Sequence, residues 1–155
     1  MEWTGPLLSF GSSVVVAVIT ATLTVRFALR RFYAEKWWER KSATYTAIIE
    51  ALHHVKNYAE TNLTSSLLGR YLTEQRRQDL NEKLQGAMTE LRKQLDIGDF
   101  VISEEAVVVM NKLMAELDAS SNTENWQEHL ELTLSAINNC LSSMRRIARK
   151  DLRIM

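Results

Sequence analysis

The apolar residues of this chain form one long continuous run, which is followed by several periodic stretches. From Thr4 to Val25 the sequence TGPLLSFGSSVVVAVITATLTV contains no charged residue. A helix of roughly 20 residues, rising about 1.5 Å per residue, crosses a hydrocarbon core of about 30 Å. The run therefore predicts a single transmembrane helix, which we assign to residues 1–30.

The charges that flank this run predict its orientation. A cleaved signal peptide would carry basic residues before its apolar stretch, but the first base here is Arg26. The length of the run and the bases after it also argue against a buried helix of a water-soluble protein. Six Lys or Arg lie between Arg26 and Lys41, and none precedes the run. Because cytoplasmic flanks carry the excess of such residues, we expect the N-terminus outside and residues 31–155 in the cytosol.

Beyond the run, apolar residues recur three and four positions apart, which is the pattern of amphipathic helices. Four segments show it: about 28–62, about 74–96, a third that begins after Ser103, and about 124–152. The first has no Gly or Pro, so it can continue the membrane helix without a break. The predicted apolar stripes are Tyr45, Ile48, Leu52, Val55 and Ala59; Leu80, Leu84, Ala87, Met88, Leu91 and Leu95; Val107, Met110, Met114 and Leu117; and Trp126, Leu130, Leu134, Ile137, Leu141, Met144 and Ala148.

Local signals and composition support an all-helical chain. Thr73 and Ser103 are placed as N-caps, Gly69 as a corner and Gly98 just past the end of the second segment. The chain has one Pro and five Gly, which leaves little turn chemistry for strands. Short loops between such helices favour antiparallel neighbours. We therefore predict an all-α fold, in which one transmembrane helix continues into a cytosolic antiparallel four-helix bundle.

The residue types that catalysis requires are sparse. No glycine-rich loop is present to hold a phosphate. A carboxylate-bridged metal site in a bundle needs two Glu-x-x-His motifs, and Glu50-Ala51-Leu52-His53 is a single copy. The lone Cys140 has no partner for a disulfide and is expected to be a small buried apolar residue. We expect neither a catalytic site, a metal site nor a cofactor, and we do not expect an enzyme.

Small and hydroxyl-bearing residues line one side of the apolar run. Gly5, Ser9, Ser13, Ala17 and Ala21 recur every four residues, and such a spacing lets helices pack closely in lipid. We assign Gly5, Ala17 and Ala21 to helix packing in a homo-oligomer. The residues assigned to the wall of a pore are Ser9, Ser13, Val16, Thr20 and Thr24. Two alternatives stay open: an oligomer that does not conduct, or hydroxyl groups that only bond to their own helix carbonyls.

Charge is distributed unevenly along the chain, although the formal net charge is zero. Residues 101–131 contain seven acids and one base, whereas residues 132–155 contain five bases and one acid. The bases form a cluster that could bind lipid headgroups, a nucleotide or a nucleic-acid backbone; they are Arg145, Arg146, Arg149, Lys150 and Arg153. The alternative is that they pair with acids on the neighbouring helix; these acids are Glu104, Glu105, Glu116 and Asp118. The cluster contains no aromatic residue on which a base could stack.

Adjacent tryptophans mark the segment after the apolar run. Trp37 and Trp38 point to different faces of a helix, so we expect one to pack inside the protomer and the other to meet a neighbour. The segment FYAEKWWERK (residues 32–41), Tyr45 with IIEALH (residues 48–53), and the ending RKDL (residues 149–152) resemble a group of small bacterial single-pass proteins.

In size and layout the chain also resembles the membrane effectors of the Hailong antiphage system. That resemblance implies a homo-tetrameric ion channel of the bacterial inner membrane. It implies further that a DNA oligomer, made by a partner nucleotidyltransferase, holds the channel closed until infection. Two functional hypotheses follow from the sequence: such a ligand-gated channel, or a non-conducting, membrane-anchored adaptor whose helical bundle docks a cytosolic partner.

Overall fold

The computed structural model describes the backbone of residues 4–98 and 100–153, and the side chains of residues 18–98 and 100–153. It contains four helices: α1 (Thr4–Leu67), α2 (Glu74–Gly98), α3 (Glu104–Ser120) and α4 (Trp126–Asp151). No strand occurs in these described ranges. The all-α prediction is confirmed, and α1 is continuous through both the apolar run and the first amphipathic segment.

The chain divides into two compact units, Met1–Glu39 and Arg40–Met155. In the first unit, every described side chain from Val18 onward is exposed. The exposed large apolar or aromatic side chains of this unit are Val18, Ile19, Leu23, Val25, Phe27, Leu29, Phe32, Tyr33, Trp37 and Trp38. The predicted division between a membrane segment (1–30) and a bundle (31–155) stays a prediction.

The predicted membrane helix lies mostly beyond the side chains that the structure describes. Within the described residues, no helix has a stretch that is both long and apolar enough to cross a bilayer. The apolar run begins at Thr4, and the side chains of residues 1–17 are outside the described part. Five of the assigned residues lie there: Gly5, Ser9, Ser13, Val16 and Ala17.

Polar contacts between α1 and α4 define their relative direction. Near one end of the second unit, the Tyr45 hydroxyl donates a hydrogen bond to the Asp151 carboxylate. At the other end, Gln127 Nε2 donates to Ser66 Oγ at 3.0 Å. An early residue of this part of α1 thus meets a late residue of α4, and the reverse holds at the far end. The two helices are antiparallel.

Helices α3 and α4 are also antiparallel. Ser120 Oγ, at the end of α3, lies 3.3 Å from Thr133 Oγ1 near the start of α4. Glu105, at the start of α3, pairs with Arg146 near the end of α4 at 3.0 Å. Within the second unit, the prediction of a helical bundle is confirmed.

The core of the bundle is built from the predicted apolar stripes. On α1, the five residues of the predicted stripe are each at most 2% exposed; they are Tyr45, Ile48, Leu52, Val55 and Ala59. Leu80, Ala87 and Leu91 of α2 and Met110 of α3 are buried with them. On α4 the buried members are Leu130, Ile137, Leu141, Met144 and Ala148. A Cβ atom at Gly98 would lie 3.0 Å from Ile102 Cδ1, so the glycine leaves room for the buried Ile102 side chain.

The helix ends largely follow their local signals. Gly69 has a φ of 60°, a left-handed conformation that favours glycine, and it forms the predicted corner after α1. Thr73 Oγ1 accepts a hydrogen bond from the amide of Arg76 at 3.3 Å, which confirms it as the cap of α2. Ser103 occupies the cap position of α3 but makes no side-chain cap bond, because its hydroxyl lies 3.3 Å from that of Tyr45.

The structure differs from two expectations for the tryptophans. Trp126, predicted as part of the α4 stripe, is 49% exposed because it is the first residue of the helix, where its ring stacks on His129 at 5.4 Å. Trp37 and Trp38 are 47% and 40% exposed. Neither of this pair packs inside the single chain as expected.

Candidate anion-binding groove

Four members of the basic cluster lie on the last two turns of α4, Arg153 follows the end of the helix, and the cluster divides into two strips. Side chains four residues apart lie on the same face of a helix. One strip therefore carries Arg145 and Arg149, and the other carries Arg146 and Lys150. Arg153 was predicted on the same helical face as Arg145 and Arg149, but it lies beyond the end of α4; it joins their strip because it lines the same groove. Cations near the C-terminus of a helix are favoured by the helix dipole. The two strips nevertheless have different neighbours, and this difference decides what each can bind.

The strip of Arg146 and Lys150 faces α3 and is already paired. Arg146 Nη2 lies 3.0 Å from Glu105 Oε1, and Lys150 Nζ lies 3.6 Å from Glu105 Oε2. All three side chains are largely exposed, so each pair contributes at most about 1 kcal/mol. Glu116 instead pairs with Lys112 of its own helix at 3.7 Å. Pairing with acids on the neighbouring helix therefore accounts for this strip, through Glu105.

The strip of Arg145, Arg149 and Arg153 is open. Together with an apolar floor it lines a shallow groove of about 330 Å³. The floor is formed by Ile49 of α1 and by Ala148 and Leu152. None of the three arginines forms an ion pair with a described carboxylate. The groove therefore carries positive charge that no described acid neutralises.

Three guanidinium groups in this arrangement suit an anion that has several charges. Arg145 and Arg149, which are four residues apart on α4, are separated by about 6 Å along the helix axis. A guanidinium donates two parallel N–H groups to a phosphate or carboxylate, which a lysine cannot do. The residues that line the groove include no aromatic ring, so bases cannot stack there. The groove is therefore suited to a chain of phosphates, recognised by charge and with strong dependence on salt.

A polar network lies at the same end of α4 as the groove. Asp151 accepts a hydrogen bond from the buried Tyr45 hydroxyl and lies 3.3 Å from Lys41 Nζ. The Ser103 hydroxyl lies 3.3 Å from the Tyr45 hydroxyl. This network was not predicted from the sequence, because Tyr45 was assigned to an apolar stripe. The one signal was Asp151, a lone acid among five bases. The network joins α1, α4 and the start of α3 at the last turn of α4, which carries Arg149.

The network shifts the pKa values of two of its groups. Burial, reinforced by the hydrogen bond to Asp151, raises the pKa of Tyr45 to about 12. Burial alone would raise the pKa of Asp151, but its hydrogen bonds with Tyr45, Ser103 and Lys41 outweigh this effect and lower that pKa below its ordinary value. Tyr45 is therefore held neutral and Asp151 is held charged.

Removing the Tyr45 hydroxyl should have a pH-dependent effect. We expect Tyr45→Phe to lower the free energy of unfolding by about 1.5–3 kcal/mol at neutral pH, because a hydrogen bond to a charged group is lost. Folding lowers the pKa of Asp151, so the stabilisation that this carboxylate contributes is lost as pH falls below about 4. Folding raises the pKa of Tyr45, so the stabilisation that this hydroxyl contributes is lost as pH rises from about 10 to about 12. The difference in unfolding free energy between the unmodified protein and Tyr45→Phe should therefore shrink in both pH ranges.

Urea unfolding followed by circular dichroism across pH measures this difference. Tyr71→Phe is the control, because the Tyr71 side chain is 97% exposed. A difference that stays constant from pH 3 to pH 12 would contradict the assigned network.

The described part of the predicted pore face consists of Thr20 and Thr24, and the described packing residue is Ala21; all three are exposed. The Thr24 hydroxyl donates to the Thr20 carbonyl at 2.8 Å. The Thr22 hydroxyl likewise donates to the carbonyl of Val18 at 2.7 Å. These bonds agree with the alternative that hydroxyl groups satisfy their own helix.

The Glu50–His53 motif and Cys140 are the other candidates from the sequence. Glu50 and His53 are exposed on α1, and among the described residues no three His, Cys, Asp or Glu are grouped to hold a metal ion. Cys140 is buried, as predicted. Burial, and then the charge of Glu116, raises the pKa of its thiol to about 11. At neutral pH this cysteine is therefore an unreactive thiol.

The open strip is thus the part of the predicted site that the fold leaves available to a ligand. Comparisons with known proteins identify no relative from which a ligand could be inferred. No protein-family model matches the chain, and neither curated proteins nor solved structures give a significant match.

Proposed function

We propose that this protein is a homo-oligomeric ion channel of a bacterial inner membrane, controlled by a polyanion that binds in the groove of the helical domain. The observation that carries the proposal is the strip of Arg145, Arg149 and Arg153, which has no described countercharge. Beside it lies Ile49, which belongs to the helix that begins in the apolar run at Thr4. A ligand in the groove would therefore contact the helix that enters the membrane.

The membrane assignment rests on hydropathy and charge. Residues 4–25 are uncharged and basic residues follow them, which supports a single pass with the N-terminus outside and the bundle in the cytosol. The large apolar side chains from Val18 to Phe32 are exposed in the single chain. Apolar surface on all sides of a helix is stable only against lipid or other copies of the protein.

Self-association rests on the spacing of small residues. In the proposed oligomer, Gly5, Ala17 and Ala21 pack between helices, and a hydroxyl-bearing face lines the pore. That face consists of Ser9, Ser13, Val16, Thr20 and Thr24. Close packing of small residues drives helix association in lipid. Four copies are proposed on the resemblance to Hailong membrane effectors.

The ligand proposed on the same resemblance is a DNA oligomer made by a partner nucleotidyltransferase, and the role is antiviral defence. The groove supports the chemistry of such a ligand, because arginines bind the phosphates of a nucleic-acid backbone. The proposal assigns no catalytic step to this chain. Nucleotide synthesis belongs to the partner.

Ion flux from liposomes tests the channel. We expect the purified protein to release a trapped ion, and an added single-stranded DNA oligomer to suppress the release. We expect Ser13→Leu combined with Thr20→Leu to reduce the flux at least tenfold, because bulky apolar side chains dewet and block a narrow pore. Val18→Leu is the control and should conduct normally, because Val18 is not among the residues assigned to the pore wall.

The alternative function is a non-conducting, membrane-anchored adaptor. The hydroxyl bonds of Thr22 and Thr24 to their own helix favour it, because those donors are already satisfied without pore water. The flux measurement separates the two functions. No flux in any ligand state would reject the channel and leave the adaptor. Unchanged flux with leucine at both tested positions would mean that Ser13 and Thr20 do not line the pore.

A further inference from the structure

A cleft of about 500 Å³ lies at the corner between α1 and α2. It lies at the opposite end of the bundle from the anion-binding groove, since it contains Trp126 from the start of α4 rather than residues from its end. Its volume is within the range of about 300–1,000 Å³ that is typical of small-molecule sites. It is too small for a helix or a folded partner.

Local structure fixes the walls of this cleft. The left-handed Gly69 ends α1, and the amide of Arg70 donates to the Ser65 carbonyl at 3.0 Å, so the chain reverses tightly there. The hydrogen bond from Gln127 to Ser66 ties the start of α4 to the same corner. Hydrogen bonds within the protein therefore hold the walls of the cleft in place.

Aromatic side chains line the cleft. They are Tyr58, Tyr71 and Trp126. Tyr58 is half-buried, whereas Trp126 is 49% exposed and Tyr71 is 97% exposed. The ring of Trp126 is held by stacking on His129, with 28° between the planes. Exposed flat rings around a concave surface offer a face on which a flat ligand can stack.

Two arginines contribute the charge of the cleft. Arg70 forms no ion pair with a described carboxylate. Arg77 lies 3.6 Å from Glu74, and both of these side chains are more than half exposed. An ion pair between exposed side chains is weak, so Arg77 can leave Glu74 and bind an anion of higher charge. Amide groups of Asn62 and Asn81 complete a polar lining.

We propose that this cleft is a second binding site, which takes a small anion that carries a flat ring, namely a nucleoside monophosphate or a similar aromatic phosphate. Arg70 and Arg77 bind the phosphate, and Tyr71 and Trp126 stack on the ring. The combination of guanidinium groups with aromatic faces carries this proposal. The anion-binding groove, by contrast, has arginines and no ring. The cleft therefore recognises a ring and a charge together, independently of the channel proposal.

Isothermal titration of the full-length protein in detergent tests the site. The probes are the monophosphates of adenosine, guanosine, cytidine and uridine, with ribose 5-phosphate and adenosine as partial ligands. We expect at least one monophosphate to bind at least tenfold more tightly than either partial ligand, since only the complete ligand uses both halves of the cleft. We expect Arg70→Glu with Arg77→Glu, and separately Tyr71→Ala, to weaken it at least tenfold.

Two controls locate the binding. Arg76→Glu changes an arginine next to Arg77 that pairs with Asp79 at 3.3 Å and does not line the cleft. Arg145→Glu with Arg149→Glu removes the groove charge. Neither should change the affinity for the monophosphate. Absence of binding by all four monophosphates, equal binding of ribose 5-phosphate, or equal weakening by Arg76→Glu would each overturn the proposal.

Discussion

Replacing Leu52 by alanine is expected to lower the free energy of unfolding of the helical domain by about 3 kcal/mol. Leu52 lies on α1 and is 0% exposed, within the same buried cluster as residues of α2, α3 and α4. Truncation removes buried methyl groups and leaves a cavity that close-packed neighbours fill only in part. The effect should therefore be a large fraction of the stability of a domain of this size.

His53 supplies the matched control for this prediction. It is the next residue on α1 and is exposed, so His53→Ala should change the unfolding free energy by less than about 0.5 kcal/mol. Urea unfolding of the full-length protein in detergent, followed by circular dichroism, measures both variants. Equal effects of the two substitutions would mean that α1 is not a core helix of the bundle.

The second large effect is expected in the anion-binding groove. Arg145→Glu combined with Arg149→Glu should weaken binding of a single-stranded DNA oligomer about 100-fold at physiological salt, which is about 2.7 kcal/mol. Two guanidinium groups without a described countercharge are replaced by groups that repel phosphate. The salt dependence of binding should also become shallower, because fewer counterions are released.

Arg146→Glu combined with Lys150→Glu is the matched control on the same helix. It has the same spacing and nearly the same change in charge, but these side chains pair with Glu105 rather than line the groove. Screening limits the influence of charges that do not touch the ligand, so we expect a loss of less than about fivefold. Fluorescence anisotropy with a labelled oligomer compares the variants. If both variants lose affinity equally, the oligomer responds to the overall charge and the groove is not its site.

The positions of the helices could largely be predicted from the sequence, because each helix has a periodic apolar stripe and local end signals. The stripe from Tyr45 to Ala59 is buried as predicted, and Thr73 caps α2. Prediction was weaker at the helix ends and between them. Trp126 was expected in the core, but it is exposed at the first position of α4. Periodicity shows which residues share one face of a helix. It cannot show where the neighbouring helices that cover this face end.

The candidate site was predicted as one cluster of five bases, and the structure divides it. Sequence spacing already places Arg145 with Arg149 and Arg146 with Lys150, since each pair is four residues apart. It could not indicate which strip meets Glu105, because that depends on the rotation of α3 against α4. The Tyr45–Asp151 contact was equally hidden, because these residues are distant in sequence.

The sequence by itself determined the elements of this protein: its helices, its uncharged apolar run and its basic C-terminal cluster. These depend on residue propensity, hydropathy and periodic spacing, which act over a few turns of helix. Only the tertiary structure decided which charges are paired and which are open. It also formed the cleft at the α1–α2 corner, where Arg70, Tyr71 and Trp126 meet. Ion pairs and clefts require residues that are distant in sequence to come together, and the packing of the helices alone determines those distances.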